Sequence, residues 1–117
     1  MKTIQEVKKE IQSDEKNWLI PFLDFVDDFR RNRNLMAIRD PLELTDEKID
    51  ALLASTIEYL GNELRMEIPE WTETVPPCKD PWFVSGIENL KAIAIVESPV
   101  FFRRRKIFVL ENFLDRV

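Results

Sequence analysis

At 117 residues, with 44% hydrophobic and 33% charged side chains, the chain has the length and composition of a single globular domain over residues 1–117, which excludes a disordered or fibrous protein. Its formal net charge of -5 argues against a generic nucleic-acid coat. With no histidine and a lone cysteine, Cys78, it has no disulfide framework, no zinc cage and none of the commonest general base.

Residues 1–10 alternate charge where a secretory signal needs an unbroken apolar stretch, and no run of about 18 apolar residues supplies a membrane span. We therefore expect a cytoplasmic protein with no membrane segment. The first predicted element is a short helix over 3–12, with Ile4, Val7, Lys8 and Ile11 at helical spacing. A second amphipathic stretch covers 14–31, with Trp18, Phe22, Phe25, Val26 and Phe29 opposite Asp24, Asp27 and Asp28. Pro21 restricts its regular part to begin near Asn17, so that the proline falls in the first turns.

The strongest helical pattern covers 46–65, where Ile49, Leu52, Leu53, Thr56, Ile57, Leu60 and Leu64 recur along one face. Thr45 is the expected cap, Asp46 and Glu47 suit the positive end of the helix dipole, and Leu44 is set to staple against Ile49. Gly61 costs this helix about 1 kcal/mol relative to alanine, which packing must offset. Pro69, Pro76, Pro77 and Pro81 make 67–84 an irregular connection with no element longer than a turn.

Ser85-Gly86-Ile87-Glu88 has the capping-box form and opens a helix to about 97, although the β-branched content of 92–96 reads equally as a buried strand. Ser98-Pro99 then resembles a cap with proline at the first helical position of a short turn, and 107–110 is open between strand and helix. The expected fold is all-α. It is a small orthogonal helical bundle with an irregular Pro/Trp-rich loop and, in one alternative, a short strand near 107–110.

Chemistry has few seats in this sequence. Gly61 and Gly86 are the only glycines, so neither a phosphate-binding loop nor a nucleophile elbow can be drawn. Asp24 with Asp27 or Asp28 has the spacing to present two carboxylates to magnesium, but acids opposite an aromatic stripe are the ordinary solvated face of a helix. Lys79 could lower the pKa of Cys78, yet no base completes a nucleophilic pair, and a structural thiol is the better reading. No catalytic residue, metal or cofactor is expected.

Binding has more support. Trp71, Trp82 and Phe83 sit beside rigid prolines, where they either line a groove for a partner or pin the loop to the core. Charge is blocked along the chain. Residues 30–39 carry Arg30, Arg31, Arg33 and Arg39 with no acid, and residues 40–74 carry ten acids against Lys48 and Arg65. The run Arg103, Arg104, Arg105 and Lys106 can grip phosphates or can neutralise the acidic segment within the fold or a dimer.

The C-terminal half resembles a group of small uncharacterised bacterial proteins. The likeness rests on Pro69-x-Trp71, Pro81-Trp82-Phe83, Leu90-Lys91-Ala92, Ser98-Pro99 and Phe102-Arg103-Arg104-Arg105 ahead of Ile107-Phe108-Val109. It implies a protein found beside nucleotidyltransferase-like partners of toxin–antitoxin type, in an antitoxin or accessory role. In some relatives a helix-turn-helix precedes this half, and residues 1–66 here show no clear one. The leading expectation is a non-enzymatic protein-interaction or regulatory module that uses Trp71, Trp82, Phe83, Arg103, Arg104 and Arg105. The alternative is a nucleic-acid-binding regulator using Arg30, Arg31, Arg33 and Arg103 to Lys106 as phosphate-contacting patches.

Overall fold

The computed structural model describes residues 1–115. Helix α1 (Ile4–Ser13) forms as its spacing predicts and has a reciprocal cap. Thr3 Oγ1 accepts from the Glu6 amide, Glu6 accepts from the Thr3 amide, and Ile4, Val7, Lys8 and Ile11 are buried. A 3-10 turn at Glu15–Asn17 leads into α2 (Leu19–Asn32). Pro21 is the third residue of α2, in the turn where an amide has no intrahelical partner to lose. Phe22, Phe25, Val26 and Phe29 face the core.

Helix α3 (Glu47–Leu64) is the axis of the molecule. Asp46, and not Thr45, caps it. Asp46 Oδ1 accepts from the Ile49 amide at 3.2 Å, while Thr45 Oγ1 is taken by the Lys8 ammonium at 2.8 Å. Leu44 stays half exposed instead of closing the expected staple. The predicted one-sided stripe understates the burial, because every residue from Asp50 to Glu58 is buried. Ala51, Ala54 and Ser55 on the remaining faces are small enough for other segments to close over them. Gly61 is required for a similar reason, since a Cβ there would overlap Ile68 Cγ2 as the chain doubles back past Arg65.

The connection after α3 holds one element longer than predicted, a five-residue 3-10 helix at Glu70–Thr74. Trp71 Nε1 donates from it to the Ile38 carbonyl at 2.9 Å. Strand β1 (Trp82–Phe83) then pairs in parallel with β2 (Ile107–Phe108), in the register Trp82 to Ile107 and Phe83 to Phe108. A parallel pair needs a long crossover. Residues 84–106 supply it and contain α4 (Lys91–Glu97) and α5 (Val100–Arg103). Residues 92–96 are therefore helical, and 107–108 take the strand alternative.

The predicted capping box at 85–88 does not form. Gly86 adopts φ +67°, a left-handed conformation that cannot begin a helix, and a 3-10 turn at Glu88–Leu90 intervenes before α4. Ser98 is likewise not the cap of α5, a position Pro99 occupies. The buried Ser98 hydroxyl instead accepts from the Val109 amide at 2.8 Å and lies within donating distance of the Ala94 and Val109 carbonyls, which ties α4 to the end of β2.

One core cluster draws on α1, α2, α3, α5 and β2, with Phe22, Phe29, Leu52, Leu53, Ile57, Leu60, Phe102 and Ile107 fully enclosed. The protein is mainly helical, and among the described residues no helix is long and apolar enough to cross a membrane.

Candidate functional site

Two buried acids on α3 determine what the basic residues can do. Asp50 lies near the start of the helix, where the Lys8 ammonium of α1 meets its Oδ1 at 2.7 Å and the Asp46 amide donates to its Oδ2 at 2.9 Å. Glu58, in the C-terminal half of α3, is 4% exposed and is held by two arginines of the C-terminal run.

Arg105 is the more deeply committed of the two. Its guanidinium faces both oxygens of Glu58, and it also donates to Ser55 Oγ at 3.3 Å, to the Thr72 carbonyl at 2.7 Å and to the Val75 carbonyl at 3.2 Å. All five of its N–H donors are thus used inside the protein. Arg104 reaches the same carboxylate at 2.6 Å but keeps half its side chain in solvent, against the Phe101 ring. Burial pushes the Glu58 pKa up, and the hydrogen bonds and charges of Arg105 and Arg104 outweigh it, so the carboxyl is held below the usual range.

The first basic block is largely neutralised as well. Arg30 forms a two-point contact with Glu63 at 2.8 and 2.9 Å and donates to the Leu114 carbonyl at 3.0 Å. Arg31 pairs with Asp28 at 3.6 Å and Arg39 with Asp40 at 3.3 Å. Arg33 occupies the left-handed C-cap of α2, and Lys106 donates to the Lys79 carbonyl at 3.1 Å. Among the described residues Arg33 and Arg103 form no ion pair.

The aromatic residues divide differently. Trp71 is a pin, fixed by its bond to Ile38. Phe83 stacks on Phe108 with centroids 5.0 Å apart, with the Lys91 ammonium over its face. Trp82 reaches across the molecule to Trp18, the rings tilted by 43° with centroids 6.3 Å apart. These two indoles, with Ile11, Gln12, Glu15, Asp46, Lys48 and Ile49, line a cleft of about 210 Å³. That is smaller than the roughly 300–1,000 Å³ typical of sites for cofactors and other small molecules, and it suits one large side chain. Lys48 stands over the Trp82 ring at 5.6 Å, Gln12 donates to Asp46 at 3.3 Å, and Glu15 forms no ion pair among the described residues.

Sequence reasoning assigned Trp18 to the core stripe of α2 and missed its meeting with Trp82. No local signal joins residues so far apart in the chain. Burial, reinforced by Glu47, pushes the Cys78 thiol up, against the lowering by Lys48 and Lys106. Asp24, Asp27 and Asp28 line a charged surface hollow together with Lys2 and Arg31. Among the described residues no group of three or more histidine, cysteine or acidic side chains is arranged to hold a metal ion. Comparison with protein-family models, with curated proteins and with solved structures finds no match to this chain.

Proposed function

We propose that this chain is a non-enzymatic protein-interaction module, an antitoxin-like or accessory protein, that accepts one large apolar side chain of its partner in the Trp18–Trp82 cleft. The cleft is the observation that carries the reading. It pairs two half-buried indoles with a charged rim, the combination in which rigid aromatic surface gains most from excluding water around an inserted side chain. The resemblance of the C-terminal half supplies the partner class, a nucleotidyltransferase-like protein of toxin–antitoxin type. The neutralised arginines support the same choice over nucleic acid. To grip phosphates, Arg105 and Arg30 would have to abandon carboxylates already in contact, as would Arg104, which leaves Arg33, Arg103 and Lys106, with the exposed and loosely paired Arg31 and Arg39, as the accessible cations of the two basic blocks.

Co-expression with such a nucleotidyltransferase-like partner tests the reading. A stable complex is expected, weakened about tenfold or more by Trp82→Ala. Trp82 also holds β1, so Gln12→Phe, which fills the cleft from an exposed position, serves as the companion variant and should weaken the complex without loosening the fold. A complex that tolerates both variants, or tight salt-sensitive binding of duplex or single-stranded nucleic acid by the isolated chain, overturns the proposal.

A further inference from the structure

Trp82 reaches the cleft from a loop with little regular structure of its own. Strand β1 is two residues long, and Pro76, Pro77 and Pro81 remove three backbone donors from the approach to it. The loop is held instead from two sides. The Lys79 amide donates to Glu47 Oε1, in the first turn of α3, at 3.1 Å, and the Trp82 amide donates to the Lys106 carbonyl at 2.8 Å. The Lys106 ammonium also reaches back to the Lys79 carbonyl at 3.1 Å.

Lys106 thus meets the loop with both of its polar ends. It adopts φ +62°, uncommon for a residue with a Cβ, where the chain passes from the turn after α5 into β2. Its neighbours continue the contact, with the Cys78 amide on the Arg105 carbonyl at 3.0 Å and the Val84 amide on the Phe108 carbonyl at 3.2 Å. On the α3 side Glu47 is followed by Lys48, whose ammonium stands 5.6 Å from the centroid of the Trp82 ring. Helix α3 therefore holds the backbone of the loop with one residue and its indole with the next. Glu47 and Lys106 are both exposed, and neither lines the cleft or belongs to the core cluster. What they act on is the placement of Trp82.

We infer that Glu47 and Lys106 are positioning residues, a clamp on 79–82 that sets the fraction of molecules in which Trp82 stands against Trp18 and the cleft is formed. The inference rests on the reading of that cleft as the partner site. Affinity for the partner falls in proportion to that fraction, because a molecule with a displaced indole must first restore the cleft.

The test joins a measurement on the free chain to one on its complex with the nucleotidyltransferase-like partner. Two indoles this close couple their excited states into paired bands of opposite sign in circular dichroism, identified by their loss in Trp82→Phe. Glu47→Ala with Lys106→Met removes one acceptor and one donor, and should diminish the couplet and raise the Kd of the complex about fivefold or more. Glu47→Gln with Lys106→Arg keeps both groups and should match the parent in each measurement. A cooperative urea transition verifies folding in both pairs. A full couplet in Glu47→Ala with Lys106→Met, or an equal loss in the conservative pair, overturns the inference whatever the complex does. A lost couplet with unchanged affinity overturns the cleft reading beneath it.

Discussion

Replacing Glu58 with glutamine keeps the shape of the side chain and removes its charge. Arg105 is then left 5% exposed at its side chain with no counter-ion beyond the neutral amide. Breaking a buried ion pair from one side typically costs about 3–5 kcal/mol. A domain of this length has a total stability of roughly 6–18 kcal/mol, so Glu58→Gln removes a large share of it. Urea denaturation at pH 7 reads this as a lower midpoint with an unchanged slope. Removing both partners, as Glu58→Leu with Arg105→Met, recovers only part of the loss, because the Thr72 and Val75 carbonyls lose their donors at about 1–3 kcal/mol each. The pH dependence follows from the depressed pKa of Glu58. A carboxyl whose folded pKa lies below its unfolded value contributes fully above the ordinary glutamate value of about 4.3, and loses that contribution as pH falls through the folded value. The gap between parent and Glu58→Gln is therefore full at neutral pH and closes in the acid range below about pH 4. A Glu58→Gln protein within about 0.5 kcal/mol of the parent at pH 7 would refute the reasoning.

Other perturbations probe the same framework. Leu53→Ala, at a fully enclosed position of α3, should lower stability by about 2–5 kcal/mol, and an unmoved urea midpoint would contradict its burial. Gly61→Ala gains about 1 kcal/mol of helix propensity but forces Ile68 aside at a typical 1–3 kcal/mol, so the net change should be destabilising by up to about 2 kcal/mol. Adding Ile68→Ala should remove the clash penalty, and a Gly61→Ala protein more stable than the parent would show that the close approach is absent. Cys78 should resist alkylation in the native state and react fully in denaturant, because the thiol is enclosed and its thiolate disfavoured. Stoichiometric labelling of native protein at pH 8 would contradict that.

Local spacing carries what lies within one segment. Ile4, Val7 and Ile11 mark α1, and the spacing from Ile49 to Leu64 delimits α3. The errors arise where distant segments decide. Asp50 and Glu58 look like a polar face until Lys8 and Arg105 arrive from 42 and 47 residues away to neutralise them. The arginine run presents itself as one surface, yet adjacent residues have opposite fates, with Arg105 enclosed and Arg103 in solvent. Ser85-Gly86-Ile87-Glu88 has the letters of a capping box, but Gly86 adopts a backbone conformation that only the folded turn reveals. The cleft depends on Trp18 and Trp82, and the clamp behind it on Glu47 and Lys106. Neither pair has a periodicity that a single segment could display.

Hydrogen exchange on the chain, free and bound to a nucleotidyltransferase-like partner, tests the central claim most directly, because it maps the contact without altering a residue. The account predicts new protection at 11–18, 46–49 and 80–83, the segments that surround the Trp18–Trp82 cleft. Protection confined to 30–39 and 103–106, with the cleft segments exchanging as in the free chain, would contradict it.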